Sequence, residues 1–64
     1  MDKEKILEEL KKDLTRDAII NSAIRDEEKP MGYLLTYIRD MYNLPKTDGW
    51  NIAVKVLEYF NIKN

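Results

Sequence analysis

The stretch Met31–Tyr42, MGYLLTYIRDMY, restricts the possible folds of this chain more than any other. Met31, Leu34, Leu35, Ile38, Met41 and Tyr42 recur at i, i+3, i+4 and i+7, the spacing that places side chains on one face of an α-helix. Tyr33 and Tyr37, four residues apart, widen that face along one flank. Only Gly32, Thr36, Arg39 and Asp40 are left for water. A helix so apolar has to be covered on more than one side, which predicts a central helix in a small helical domain.

The rest of the chain supplies the covering. Asp2 can cap a helix from about Lys3 to Leu14, whose stripe is Ile6, Leu7, Leu10 and Leu14. Glu8 and Lys12 stand at i and i+4, in the favourable orientation. This helix does not run on to Arg25. At ~100° per residue, Ile6–Leu14 and Ile19–Ile24 point more than about 100° apart, so one straight helix would bury them against different neighbours. Thr15 is a natural N-cap where the face changes, Asp17 falls in the following first turn, and Leu14 and Ile19 occupy the hydrophobic-staple positions. A corner at Leu14–Arg16 follows. A second helix over 16–25 then buries Ile20, Ala23 and Ile24, with Ile19 at the edge.

Pro30 tolerates a first helical position and keeps its predecessor out of helix, so the third helix spans about 31–42. Asp26, Glu27 and Glu28 precede it where its dipole favours negative charge. Gly32 weakens the start of that helix or permits close approach by a neighbour. Asn43-Leu44-Pro45 breaks the chain again. Thr47 or Asp48 then caps a last helix over 48–60, with Trp50, Ala53, Val54, Leu57 and Phe60 in one stripe and Ile52 and Val56 beside it. Asn61 suits its C-cap, and Ile62 folds back onto its last turn. The expected fold is an all-α bundle of four short helices in one domain, 1–64, around Leu10, Leu14, Ile20, Ile24, Leu34, Leu35, Ile38, Val54, Leu57 and Phe60.

Size and composition narrow the functional classes. A 64-residue chain buries only about 60% of the surface it exposes when unfolded, and it contains neither cysteine nor histidine, so no disulfide or ordinary zinc site reinforces it. Efficient helix packing or oligomerisation has to serve instead. The net charge is −1, with seven basic and nine acidic groups in residues 1–29 and four and three in residues 30–64. Neither half is a basic arm, which disfavours nucleic acid and anionic membrane as partners. The amino-terminal stretch alternates charged and apolar residues, unlike a signal peptide, and no apolar run reaches the ~20 residues of a membrane span. A cytoplasmic protein is expected. The excess of lysine over arginine, with abundant isoleucine and asparagine, fits AT-rich coding such as that of an AT-rich bacterium, phage or mobile element.

No catalytic pattern is present: no histidine base, cysteine nucleophile or glycine-rich phosphate loop. Asp26-Glu27-Glu28 lacks the alternating acids and turn glycine of a calcium loop, so neither metal nor cofactor is expected. A helix-turn-helix DNA-binding regulator built on the second and third helices is an alternative, with Lys11, Lys12, Arg16 and Arg25 as a local basic patch. Its candidate recognition helix offers only Arg39 as a cation, beside Asp40, and its connector is acidic. The more informative feature is the width of the apolar arcs on the last two helices, roughly 200° against the ~100° of an ordinary surface helix. Such arcs mean either central helices or a face turned to another molecule. The second reading predicts a non-enzymatic protein-binding module, an adaptor, inhibitor or regulator. It would present Tyr33 and Tyr37 together with the Ile52, Val56 and Tyr59 edge to a protein partner or to a second copy of the chain.

Overall fold

The computed structural model describes residues 2–63. Four helices follow in order: α1 (Lys3–Asp13), α2 (Arg16–Arg25), α3 (Pro30–Tyr42) and α4 (Lys46–Phe60), and no strand occurs among the described residues. The molecule is a small all-α bundle, as the periodicity predicts.

Each boundary has a local cause. Asp2 accepts hydrogen bonds from the amides of Glu4 (3.0 Å) and Lys5 (3.3 Å), satisfying donors that the first turn leaves open. Leu14 and Thr15 are both extended, which makes the corner, and the Thr15 hydroxyl accepts from the Ala18 amide at 3.1 Å. Leu14 and Ile19 both enter the core, as the staple positions require. α2 closes in a Schellman motif: the amides of Glu27 and Glu28 donate to the carbonyls of Ile24 and Ala23. Glu27 takes the left-handed conformation there, φ 56°, where glycine would avoid a cost of roughly 1 kcal/mol. α4 ends in the same way with Asn61 at φ 54°, and the Ile62 amide donates to the Leu57 carbonyl at 2.9 Å. Ile62 thereby folds back into the core.

Several expectations need correction. α4 starts at Lys46, not at Asp48, and neither Thr47 nor Asp48 caps it. Pro45, at φ −54°, already sets the entry, and its carbonyl accepts the Gly49 amide at 3.0 Å. Asp48 instead meets Lys3 at 3.1 Å. Glu8 pairs with Lys11, three residues on, rather than with Lys12. A Cβ at Gly32 would meet the Glu28 carboxylate at 3.0 Å, not a neighbouring helix.

Packing runs α1 on α4, α4 on α3, and α3 on α2. Lys3 reaches Asp48 near the start of both helices, and Lys11 reaches Tyr59 near the end of both, so α1 and α4 run parallel. From α1, Glu9 reaches Tyr42 near the end of α3. Leu10, Ile19, Leu34, Ile38 and Val56 are the largest wholly buried side chains. Leu10, Leu14, Leu34, Ile38 and Leu57 are core as expected, and Ile20, Leu35, Val54 and Phe60 are half-buried against them.

Two helices present a different face from the expected one. α2 buries Ile19 and Ala23 and leaves Ile24 69% exposed. α4 buries Gly49, Ile52, Ala53, Val56 and Leu57 and leaves Trp50 47% exposed. Both faces are turned by roughly 70° from the stripe of the bulkiest side chains. The cause is the same in each: small residues (Ala23 in α2, Gly49 and Ala53 in α4) lie at the contact. Ridges pack into grooves most closely where side chains are short, so the bulkier neighbours move to the rim.

Candidate functional site

The tyrosine flank of α3 forms as expected. Tyr33 and Tyr37 are half-buried, their ring centroids 6.1 Å apart and tilted by 43°. Met41, one turn further, is 59% exposed although its spacing assigns it to the buried stripe. At ~100° per residue, Tyr33, Tyr37 and Met41 form one ridge along the helix, with Met41 where α3 outlasts its cover. Burial raises the Tyr37 pKa above the usual 10.0, and the negative charge of Asp13 in α1 raises it further. Tyr42, further round the helix, donates its hydroxyl to Glu9 at 3.1 Å. Burial first, and then that hydrogen bond and the Glu9 charge, raise its pKa as well. Asp13 of α1 thus acts on both Tyr37 and Tyr42, and Glu9 on Tyr42.

The rest of the expected surface does not join it. Ile52 is 3% exposed and Val56 0%, both in the core against α4's neighbours, so they offer nothing to a partner. The wide arc of α4 is, at these two positions, the arc of a central helix. Tyr59 is 57% exposed, with its ring edge-on to Phe60 at 4.8 Å and the Lys11 ammonium 4.7 Å from its centroid. Lys11 and Asp13 lie on opposite sides of α1, about 160° apart by helical geometry, so α1 separates Tyr59 from the Tyr33–Tyr37 ridge. Of the five residues read as a surface, only Tyr33 and Tyr37 come together.

A feature that the hydrophobic pattern does not reveal lies on the other flank of α3. A groove of about 590 Å³ runs between α3, the 43–45 connector and the start of α4. Leu35 and Leu44, both half-buried, supply apolar floor, Gly32 lines it, and Ile38 and Gly49 border it from within the core. Glu28 stands at one end, with Arg39 and Lys46 towards the connector. The only signals for it in the sequence are absences: two glycines inside helices and a proline-broken connector. A second hollow, of about 470 Å³, lies between α2 and residues 61–63, where Ile24 and Ile62 meet Arg16 and Lys63.

Most of the basic groups read as a DNA-contacting set have partners or places elsewhere. Lys11 serves Glu8 and Tyr59, Arg25 lies 3.2 Å from Asp26, Arg16 faces the second hollow, and Arg39 lies 3.7 Å from Asp40. Among the described residues no three His, Cys, Asp or Glu side chains gather as a metal-binding group, and no helix is long and apolar enough to cross a membrane. No protein family, curated protein or solved structure matches the chain.

Proposed function

We propose that the protein is a non-enzymatic protein-binding module that receives a partner protein, or a second copy of itself, on the Tyr33–Tyr37–Met41 ridge of α3. One observation carries this reading. The fold sets two half-buried tyrosines and an exposed methionine in register along one flank of α3, while Met31, Leu34 and Ile38 form its core face. Tyrosine offers a large, stiff contact area with a polar tip, and such residues dominate binding energy at interfaces. Methionine adapts its shape to what it meets. The negative charge of Asp13 acts on Tyr37, which favours a partner with a cationic group beside its apolar contact.

The test is affinity capture from source cells with the native chain and with the Tyr33→Ala/Tyr37→Ala double variant as baits. A partner held by the native chain and lost by a folded double variant supports the reading. Identical capture by both baits contradicts it. A melting temperature that rises with protein concentration identifies the partner as a second copy, because mass action stabilises only the assembled form.

A further inference from the structure

The two glycines of the chain both lie in helices and both line the α3–α4 groove. Glycine in a helix interior is less favourable than alanine, so each position calls for a reason. Backbone conformation does not supply one, since neither has positive φ. Helix packing bears on Gly49, which is buried where α4 meets α3, but not on Gly32. A Cβ at Gly49 would sit 3.7 Å from Ile38 Cγ2, an ordinary contact, and a Cβ at Gly32 would meet only the flexible tip of Glu28. Both glycines line the groove beside Leu35 and Leu44, Gly32 half-buried and Gly49 buried.

Its charges are arranged as well. Arg39 and Lys46 stand towards the connector, and Glu28 stands at the opposite end. Lys46 has no ion-pair partner among the described residues, and Arg39 meets only Asp40 at 3.7 Å with both side chains largely exposed, a pairing of little strength. From Gly32 to Asn43 the groove follows α3 for about 16 Å, three turns of a helix laid alongside it. Its volume of about 590 Å³ falls among those of sites that enclose a ligand.

We infer that this groove is a second docking site, for an amphipathic helical segment of a partner protein that places an acidic side chain against Arg39 and Lys46. Helix-in-groove recognition uses apolar anchors one turn apart for affinity, while charge at the ends fixes direction. An acidic residue near the carboxyl end of the segment meets the two cations together with the negative end of its own helix dipole, and its amino end meets Glu28. The site lies across α3 from the tyrosine ridge and stands or falls separately from it.

Random peptides of about 12 residues displayed on phage and selected against the full-length chain test this directly. Enriched sequences are expected to combine an acidic residue with apolar residues at i, i+3 or i+4. The synthesised winner should shift amide resonances of residues 32–39 and 43–49 in a ¹⁵N–¹H spectrum. Arg39→Glu/Lys46→Glu should weaken it by roughly tenfold or more. A version of the peptide with lysine for its acid should bind that double variant better than the native chain. Tyr33→Ala/Tyr37→Ala should leave its affinity unchanged, which separates this site from the ridge. Failure of selection, winners without acids, equal binding to the charge-reversed variant, or shifts confined to the tyrosine flank would each overturn the proposal. Groove resonances that move with protein concentration alone would overturn it too, by making a second copy the occupant.

Discussion

The two flanks of α3 are closed by different means. On one, Tyr33 and Tyr37 cover the helix with their own rings, and α1 brings the charge of Asp13 towards Tyr37. On the other, Gly32 and Gly49 provide no cover, and Leu35 and Leu44 line a groove with Arg39 and Lys46 at its rim. The first flank is built from bulk and faces the acidic Asp13 of α1. The second is built from absence of bulk and bears cations at one end. The contrast teaches that a helix in a very small bundle has a core face and two separate margins, and that the margins are distinguished by side-chain size as much as by hydrophobicity.

The largest expected effect removes what both flanks share. Ile38 is wholly buried at the contact between α3 and α4, so Ile38→Ala should lower unfolding free energy by about 2–5 kcal/mol in urea denaturation. A loss under about 1 kcal/mol would mean that the flanks do not rest on a common packed seam.

Paired substitutions of middling size should then move the flanks in opposite directions. Tyr42→Phe removes the hydrogen bond to Glu9, which reaches across from α1, and should cost about 0.5–1.5 kcal/mol. Gly49→Ala on the groove side should stabilise by about 0.4–1 kcal/mol, because the added methyl meets no clash and the unfolded chain loses freedom. Two changes of the same sign in chemical denaturation would erase the contrast.

Alkaline titration sharpens the comparison on the tyrosine side. The pKa values of Tyr37 and Tyr42 are raised above 10.0 in the folded protein, so the folded state holds these protons more tightly than the unfolded one. Their contribution is fully present below pH 10 and is lost as the pH climbs through the raised values. Asp13→Asn should bring both pKa values down part of the way, burial continuing to hold them up, as read by tyrosinate absorbance in single-tyrosine variants. Unmoved values would separate α1 electrostatically from this flank.

The smallest effect concerns the helix beyond the comparison. Ile24 projects from α2 into water at 69% exposure, so Ile24→Ser should change stability by less than about 0.5 kcal/mol. A loss of 2 kcal/mol would restore the face that the bulky residues of α2 suggest.

Those bulky residues also explain what could be read from the chain. Most helix boundaries are legible because Asp2, Thr15, Pro30 and Asn61 act locally, through caps and fixed dihedrals that need no tertiary context, whereas the start of α4 is not, because Pro45 sets it two residues before the expected cap. The face of α3 was legible because its largest apolar residues coincide with its contacts. α2 and α4 were turned by roughly 70° because hydrophobic weight favours Ile24 and Trp50, whereas close approach favours Ala23, Gly49 and Ala53. Tyr33 and Tyr37 were legible as a pair from their four-residue spacing. Ile52 and Val56 were not separable from a surface edge, since an apolar arc has the same pattern whether a helix of its own chain or a partner covers it. The groove was hidden because no residue announces it.

The reading of α3 as a docking helix meets its most direct test in photo-crosslinking inside source cells. p-Benzoylphenylalanine is placed at Tyr37 on the ridge and, in a separate chain, at Tyr59 beyond α1. The account predicts a discrete protein adduct from position 37 and none from position 59. An adduct from position 59 alone, equal adducts from both, or none from position 37 would contradict it.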